Sequence, residues 1–370
     1  MSIITETVEV ARTPTSLATC KCAQRTCAGN GSEYAPFSGT GIRKLSMIYT
    51  FRCPNECEHC CYECGPHREE KCDPSQAATW VEAAARHGCT DMGFSGGECL
   101  LYMDEVLELS RIAAEAGLTP TIATGAFWAT SPDAAGDVVG KLQSAGVRRV
   151  VVSADAFHQK SVSLERVRNA LAACSAASME VHVSVTRTRR DAEWEKEARG
   201  ILEPYMKHVR YTMVGPVGRW RSHHAEFPRG DRERVDVCRS VFEITIYPNG
   251  DVYPCCSGAI GEVYNRGRNA LRIGNDREED PGDILERAEH SIVLNALRIA
   301  GPNGLLDVWG DAAIQAQVPQ VVRSRCELCL WLAEHLDGDA VQSSSRQLRD
   351  QYVARLEESW RVRRRLFPDP

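Results

Sequence analysis

Residues 44–60 read Lys44-Leu-Ser-Met-Ile-Tyr-Thr-Phe-Arg-Cys53-Pro-Asn-Glu-Cys57-Glu-His-Cys60. An apolar run, Lys44–Phe51, passes directly into three cysteines spaced Cys-x3-Cys-x2-Cys. Thiolates hold zinc and iron–sulfur clusters. A closed tetrahedral zinc site uses four protein ligands, whereas a reactive metal centre keeps one position open. Three thiolates without a fourth therefore predict an open metal centre at the end of a strand. A zinc knuckle, or three unrelated core cysteines, is the plainer alternative.

Working outward, strands and helices alternate. Further strands are expected at Asp91–Ser95, Thr119–Thr124, Arg149–Ser153, Glu180–Thr186 and Val209–Val214. Helices are expected at Ser75–His87, Met103–Ala116, Pro132–Ala145, Leu164–Ala176 and Glu193–Tyr205, several closed by glycine. This pattern predicts an α/β fold with a parallel sheet covered by helices. In such sheets the site lies at the carboxyl ends of the strands, where the Cys53 loop falls. After about residue 220 the pattern changes. Val241–Tyr247, Pro248-Asn-Gly250 and Asp251–Tyr253 predict a hairpin that leads into Cys255-Cys256. Helices are expected at about 283–299 and 345–364, with Cys326-Glu-Leu-Cys329 between them. Three parts are expected: an extension at 1–42 containing Cys20, Cys22 and Cys27, a first domain at 43–224, and a second at 225–370.

Composition narrows the function. Hydrophobic content of 43% and charged content of 25% are ordinary for a soluble enzyme. No run matches the roughly 18 apolar residues of a membrane span. The N-terminus lacks a basic region followed by an apolar one, so a cytoplasmic location and no membrane partner are expected. A net charge of −6 argues against nucleic acid. The basic stretch Arg361–Arg365 reads as the end of a solvated helix. Seventeen cysteines in a reducing compartment point to metal or redox chemistry rather than disulfides.

Several motifs, in order, resemble the radical S-adenosylmethionine (radical SAM) superfamily. The first is Cys53-x3-Cys57-x2-Cys60. Phe94-Ser-Gly-Gly-Glu98, after the second strand, resembles the family's Gly-Gly-Glu-Pro motif, with Cys99 in place of the proline. Ser153-Ala-Asp-Ala-Phe-His158 resembles the Ser-x-Asp-x-Phe-His of one subgroup. Thr121–Trp128 resembles that subgroup's Thr-Asn-Gly-Phe-Trp-Ala but lacks the asparagine, and no contact is assigned to it. The resemblance implies a partial (β/α)6 TIM-like barrel. It also implies that Cys53, Cys57 and Cys60 hold a [4Fe–4S] cluster whose fourth iron is chelated by SAM. Gly96, Gly97 and Glu98 would then receive the SAM amino group, which suits glycine's small size and carboxylate–ammonium pairing. Ser153 and Asp155 would meet its ribose or carboxylate, and His59 its adenine. For Asp155 and His158, a helix cap and a surface histidine are the plainer alternatives.

Cys238, Cys255 and the Cys326-x2-Cys329 pair resemble the SPASM/twitch extensions that hold auxiliary [4Fe–4S] clusters, here a one-cluster type. A structural four-cysteine zinc site has the same spacing. Neighbours on an extended segment point to opposite sides, so Cys255 and Cys256 are not expected to share one cluster. Cys256 would then be a hydrogen-atom donor; a buried packing residue, or a ligand in place of Cys255, is the alternative. Cys89, Cys99 and Cys174 are expected to pack, and His223-His224 to be solvated. Cys61, Cys64 and Cys72 have no assigned role.

The resemblance implies cleavage of SAM to a 5′-deoxyadenosyl radical, fed by a donor such as flavodoxin or ferredoxin. The expected reaction is epimerisation of a natural-product substrate, a ribosomal peptide before an aminoglycoside-like sugar. Dehydrogenation or cross-link formation, with the auxiliary cluster accepting the electron, is the alternative. A zinc-scaffolded binding protein is the alternative of another class.

Overall fold

The computed structural model describes residues 41–188, 192–226, 230–231, 238–258, 260–261, 271–309 and 312–335. Strand β1 (Lys44–Thr50) starts an alternation that continues through α1 (Pro74–His87), β2 (Asp91–Gly96), α2 (Met103–Glu115), β3 (Thr119–Thr124) and α3 (Pro132–Ser144). It is completed by β4 (Arg149–Ser153), α4 (Leu164–Ala176), β5 (Glu180–Arg187), α5 (Ala192–Leu202) and β6 (Val209–Met213). Local chemistry sets the boundaries. Asp73 accepts the Gln76 N–H at the start of α1, with Pro74 in its first turn, and Gly88 closes it at φ +93°. Ser131 and Ser163 cap α3 and α4 in the same way.

Three more strands join the same sheet: β7 (Glu243–Ile246), β8 (Asp251–Tyr253) and β9 (Gly274–Asn275). All nine form one sheet in the order β9-β8-β7-β1-β2-β3-β4-β5-β6. From β7 to β6 every pairing is parallel, whereas β8 and β9 run antiparallel to their neighbours. This is the expected α/β barrel-type sheet, extended by the hairpin. Because Lys44 pairs with Glu243 and Met47 with Ile246, the sheet runs unbroken past residue 225. Gly250 makes the hairpin turn at φ +89°.

Leu45, Met47 and Tyr49 pack with Trp80 and Val81 of α1 in the main core. Alternate positions Lys44, Ser46, Ile48 and Thr50 therefore face the other side of the sheet. On that side Ile48, Phe51, Tyr62, Cys64, Tyr247, Tyr253 and Cys255 form a second apolar cluster. Cys89, Cys99 and Cys174 are buried core residues, as expected.

Some boundaries differ from expectation. The helix expected at 193–205 ends at Leu202, and a 3-10 turn (Glu203–His208) follows around Pro204, which lacks an N–H. The single helix expected at 283–299 is two, α6 (Pro281–His290) and α7 (Ile292–Trp309), because Ser291 is extended. Two more helices, α8 (Ala312–Gln317) and α9 (Arg325–His335), follow; α9 carries Cys326 and Cys329. The helix expected at 345–364, the basic stretch at 361–365, and Cys20, Cys22 and Cys27 lie outside the described residues. No helix of the described residues is long and apolar enough to cross a membrane.

Candidate active site

The Cys53 loop leaves β1 and returns against it. Cys53 N donates to Gly65 O (3.0 Å) and Cys60 N to Cys57 O (3.1 Å). The three thiols are half-buried. Burial pushes Cys53 and Cys57 up to about 12, so holding them as thiolates there requires a cation. Cys60 is brought down to about 6, chiefly by its hydrogen bond with Cys64, whose backbone N–H lies 3.3 Å from the sulfur. Three clustered thiols with N–H donors aimed at sulfur are a donor set that fits an iron–sulfur cluster.

Gly96 and Gly97 bring the end of β2 against this loop. Gly97 N donates to Thr50 O (2.7 Å) and Glu98 N to Arg52 O (2.9 Å). A Cβ at Gly97 would lie 2.2 Å from Arg52 O, and one at Gly96 2.4 Å from Thr50 O. The close approach that requires these glycines is thus made by the chain's own β1.

Glu98 is buried. Its carboxylate accepts from Gly125 N (2.8 Å), Thr124 Oγ1 (3.0 Å) and Leu100 N (3.3 Å). Burial outweighs these bonds and raises the carboxyl to about 7. A Cβ at Gly125 would stand 3.5 Å from Asn55 Nδ2, 3.7 Å from Glu98 and 3.8 Å from His158, so these side chains share one concavity.

Asp155 is also buried, and the chain itself takes both its oxygens. Oδ1 accepts from Phe157 N (3.1 Å) and His158 N (3.0 Å), with His158 Nδ1 at 2.9 Å; Oδ2 accepts from Thr186 N (3.2 Å). Burial works to raise this carboxyl, but His158 prevails and holds it below the usual carboxylate range. Burial works to lower His158, and Asp155 prevails to raise it. His158 is therefore an ion-pair partner inside the site, not the surface histidine of the plainer reading. Ser153 ends β4 two residues earlier. His59 lies on Phe157 with ring centroids 4.5 Å apart; burial lowers it to about 4, and its Nδ1 is buried without a hydrogen-bond partner. Among the described residues, His59, Asp155 and His158 are the one group of three or more His, Cys, Asp or Glu side chains with ligand atoms within 4.8 Å of one another.

Residues 47–188 match the Radical SAM superfamily. This chain carries a radical SAM domain. The chain is 21% identical over 303 residues to the putative peptide biosynthesis protein YydG of Bacillus subtilis (strain 168), covering 78% of this chain and 91% of that protein. Among solved structures it is similar to anSMEcpe with bound AdoMet and Cp18Cys peptide (11% identity, TM-score 0.48, covering 84% of this chain and 99% of that one). It is also similar to BtrN in complex with AdoMet and 2-DOIA (15%, TM-score 0.42, 76% and 98%).

The second constellation gathers from three segments. Cys238 precedes β7, Cys255 follows β8, and Cys326 and Cys329 lie on α9. Burial raises Cys329 well above the ordinary thiol range, and the nearby Cys255, Cys326 and Cys238 raise it further. Cys256 has different surroundings. Its N–H donates to Glu243 Oε1 (2.9 Å), and its carbonyl accepts from Tyr62 Oη (2.5 Å). Glu243 Oε2 also meets Lys44 Nζ (3.0 Å) and Ser46 Oγ (3.2 Å). Burial raises the Cys256 thiol well above its usual value, and Glu243 adds to this. Cys61, which feels both Cys60 and Cys326, stands between the two constellations. His223 is half-buried and stacks on Trp220 at 4.0 Å, a correction to its expected solvation.

Sequence reasoning missed Thr124, Asn55, Glu243 and Arg219. Thr124 Oγ1 donates to Glu98 and accepts from Ala126 N and Trp128 Nε1, each at 3.0 Å. Its place in the Thr121–Trp128 segment was the available signal. Glu243 and Arg219 carried no spacing signal.

Proposed function

We propose that this radical SAM enzyme acts on a peptide and inverts one of its stereocentres, with Cys256 as hydrogen-atom donor. The name of the YydG relative, a putative peptide biosynthesis protein, supports the substrate class, as does the Ser153–His158 segment. The observation that carries the reaction is the parting of two adjacent thiols. Cys255 is influenced by Cys326 and bonds Ser257 Oγ at 3.4 Å, whereas Cys256 is held by Glu243 on the face of Lys44 and Ser46.

In this reading Cys53, Cys57 and Cys60 hold the SAM-binding [4Fe–4S] cluster, and Cys238, Cys255, Cys326 and Cys329 an auxiliary one. When bound, the cluster and SAM would supply hydrogen-atom abstraction from a substrate carbon. Glu98 would receive the SAM ammonium in its buried concavity, and Gly96 and Gly97 set its place by packing against Thr50 and Arg52. His59 offers a ring face to the adenine, and Ser153 lies at the ribose side. Asp155 acts through His158, fixing its ring. Burial keeps Cys256 a neutral thiol, the form that can give a hydrogen atom. It donates that atom to the opposite face of the carbon radical, forming a C–H bond and leaving a thiyl radical. One electron from a flavodoxin- or ferredoxin-type donor and one proton restore the thiol.

The four-thiol constellation favours a second reading, net oxidation with the electron leaving through that site. Turnover in D2O with a short peptide encoded beside the gene separates the two. Inversion adds one solvent deuterium to the product; oxidation removes two hydrogens. Cys256→Ala is expected to abolish deuterium incorporation while 5′-deoxyadenosine still forms. Unchanged product stereochemistry in that variant would end the donor assignment.

A further inference from the structure

The segment after β6, Val214-Gly-Pro-Val-Gly-Arg-Trp-Arg221, is pressed onto the Cys53 loop. Gly218 has φ +56°, and a Cβ there would lie 2.3 Å from Cys60 O and 2.6 Å from Cys61 Cα. Only glycine allows the two backbones to touch so closely. Arg219 then binds three carbonyls of the loop. Its N–H donates to Cys60 O (3.2 Å), Nη1 to Cys57 O (2.9 Å), and Nη2 to Cys64 O. Trp220 is buried against Phe157, with ring centroids 5.2 Å apart, and Cys57 packs on the same apolar group. Arg221 pairs with Glu63 of the loop.

We propose that Arg219 is a positioning residue for the SAM-binding cluster: its guanidinium fork fixes the ligand loop, and its charge beside Cys57 and Cys60 makes the cluster easier to reduce. Three thiolates concentrate negative charge in eight residues, and an added electron increases it. A guanidinium stays charged at every relevant pH and binds in a rigid fork. Cluster potentials respond to local net charge, hydrogen bonding and solvent access. The guanidinium lies on the Cys57 and Cys64 carbonyls, so its charge stands within the ligand loop. This inference rests on the radical SAM reading and not on epimerisation.

The test is an anaerobic dithionite titration of the reconstituted enzyme, read by electron paramagnetic resonance on the signal that changes when SAM is added. Iron and sulfide are counted on each variant. In Arg219→Gln the ratio of reduced to oxidised cluster at a fixed low potential should fall about tenfold, which for a one-electron couple is about 59 mV. Arg219→Lys keeps the charge and should recover most of that loss. Arg221→Gln, which loosens the loop at Glu63 instead, should titrate like the parent. If Arg219→Gln keeps the parental potential, or if Lys and Gln shift it equally, the electrostatic role is wrong. Should Arg219→Gln fail to retain iron, Arg219→Lys decides: full iron and a near-parental potential support the proposal, and equal iron loss leaves only the fork and overturns the charge role. A parent without a SAM-responsive signal would instead challenge the radical SAM reading.

Discussion

Cys53, Cys57 and Cys60 come from one short loop, whereas Cys238, Cys255, Cys326 and Cys329 come from three segments spread over 92 residues. The surroundings differ as much as the spacing. The first set stands among polar groups: Glu98, His158, Asn55 and the Arg219 guanidinium. Thiols, burial and the neighbouring Ser257 dominate the second. An open metal position needs side chains that recognise the molecule filling it, while four thiolates complete a site by themselves. On the proposed reading the first region receives a visitor, and the second closes on itself.

The largest effect should come from removing a ligand on each side. Cys53→Ala, Cys57→Ala or Cys60→Ala should reduce 5′-deoxyadenosine formation to background. Cys326→Ala or Cys329→Ala should lower bound iron by about four atoms and block product, yet leave SAM cleavage measurable. Equal loss of SAM cleavage from both sets would erase the functional distinction between them.

Backbone contact beside the first region gives the next effect. Gly97→Ala forces a Cβ to 2.2 Å from Arg52 O and should cost about 3 kcal/mol, seen as a lower thermal midpoint. Gly136→Ala in α3 meets nothing within 4 Å and should stabilise by up to about 1 kcal/mol. A neutral Gly97→Ala would mean that β1 and β2 separate at that end without penalty.

These two contrasts also mark what was legible in the sequence. Cys53-x3-Cys57-x2-Cys60 was readable because all three thiols share a loop, so spacing alone reports geometry. The alternation of six strands and five helices was readable because buried parallel strands such as Arg149–Ser153 are nearly continuous apolar runs. The hairpin's pairing with β1 was not readable, since register across 199 residues, from Lys44 to Glu243, leaves no local trace. Arg219 escaped for the same reason: its partners are backbone carbonyls, which any sequence supplies. Gly96 and Gly97 were noticed for a ligand's sake, whereas their nearest neighbours are Thr50 and Arg52.

A smaller effect concerns pH. Burial raises Glu98 to about 7, so below that pH the free enzyme holds a proton there. A SAM ammonium needs the carboxylate, and binding must then expel that proton. Affinity should fall as pH drops below 7, approaching tenfold per unit, or about 1.4 kcal/mol. Glu98→Gln should bind more weakly and lose this acid limb. Calorimetry between pH 5.5 and 8 checks it, and a pH-independent parent would remove Glu98 from the ammonium site.

The smallest effect is expected at His59. Burial lowers it to about 4, so near neutrality it is uncharged and its loss changes no local field. Its ring lies on Phe157, and a phenyl ring can keep that packing. His59→Phe should therefore shift SAM affinity by less than about threefold, or about 0.65 kcal/mol, the low end of what one aromatic contact contributes. The opposite outcome would be informative, because His59 Nδ1 is buried without a partner. A loss of tenfold or more, recovered by His59→Gln but not by His59→Leu, would mean that this nitrogen hydrogen-bonds the bound cofactor. His59 would then join Glu98 among the groups that recognise SAM by polarity rather than by shape.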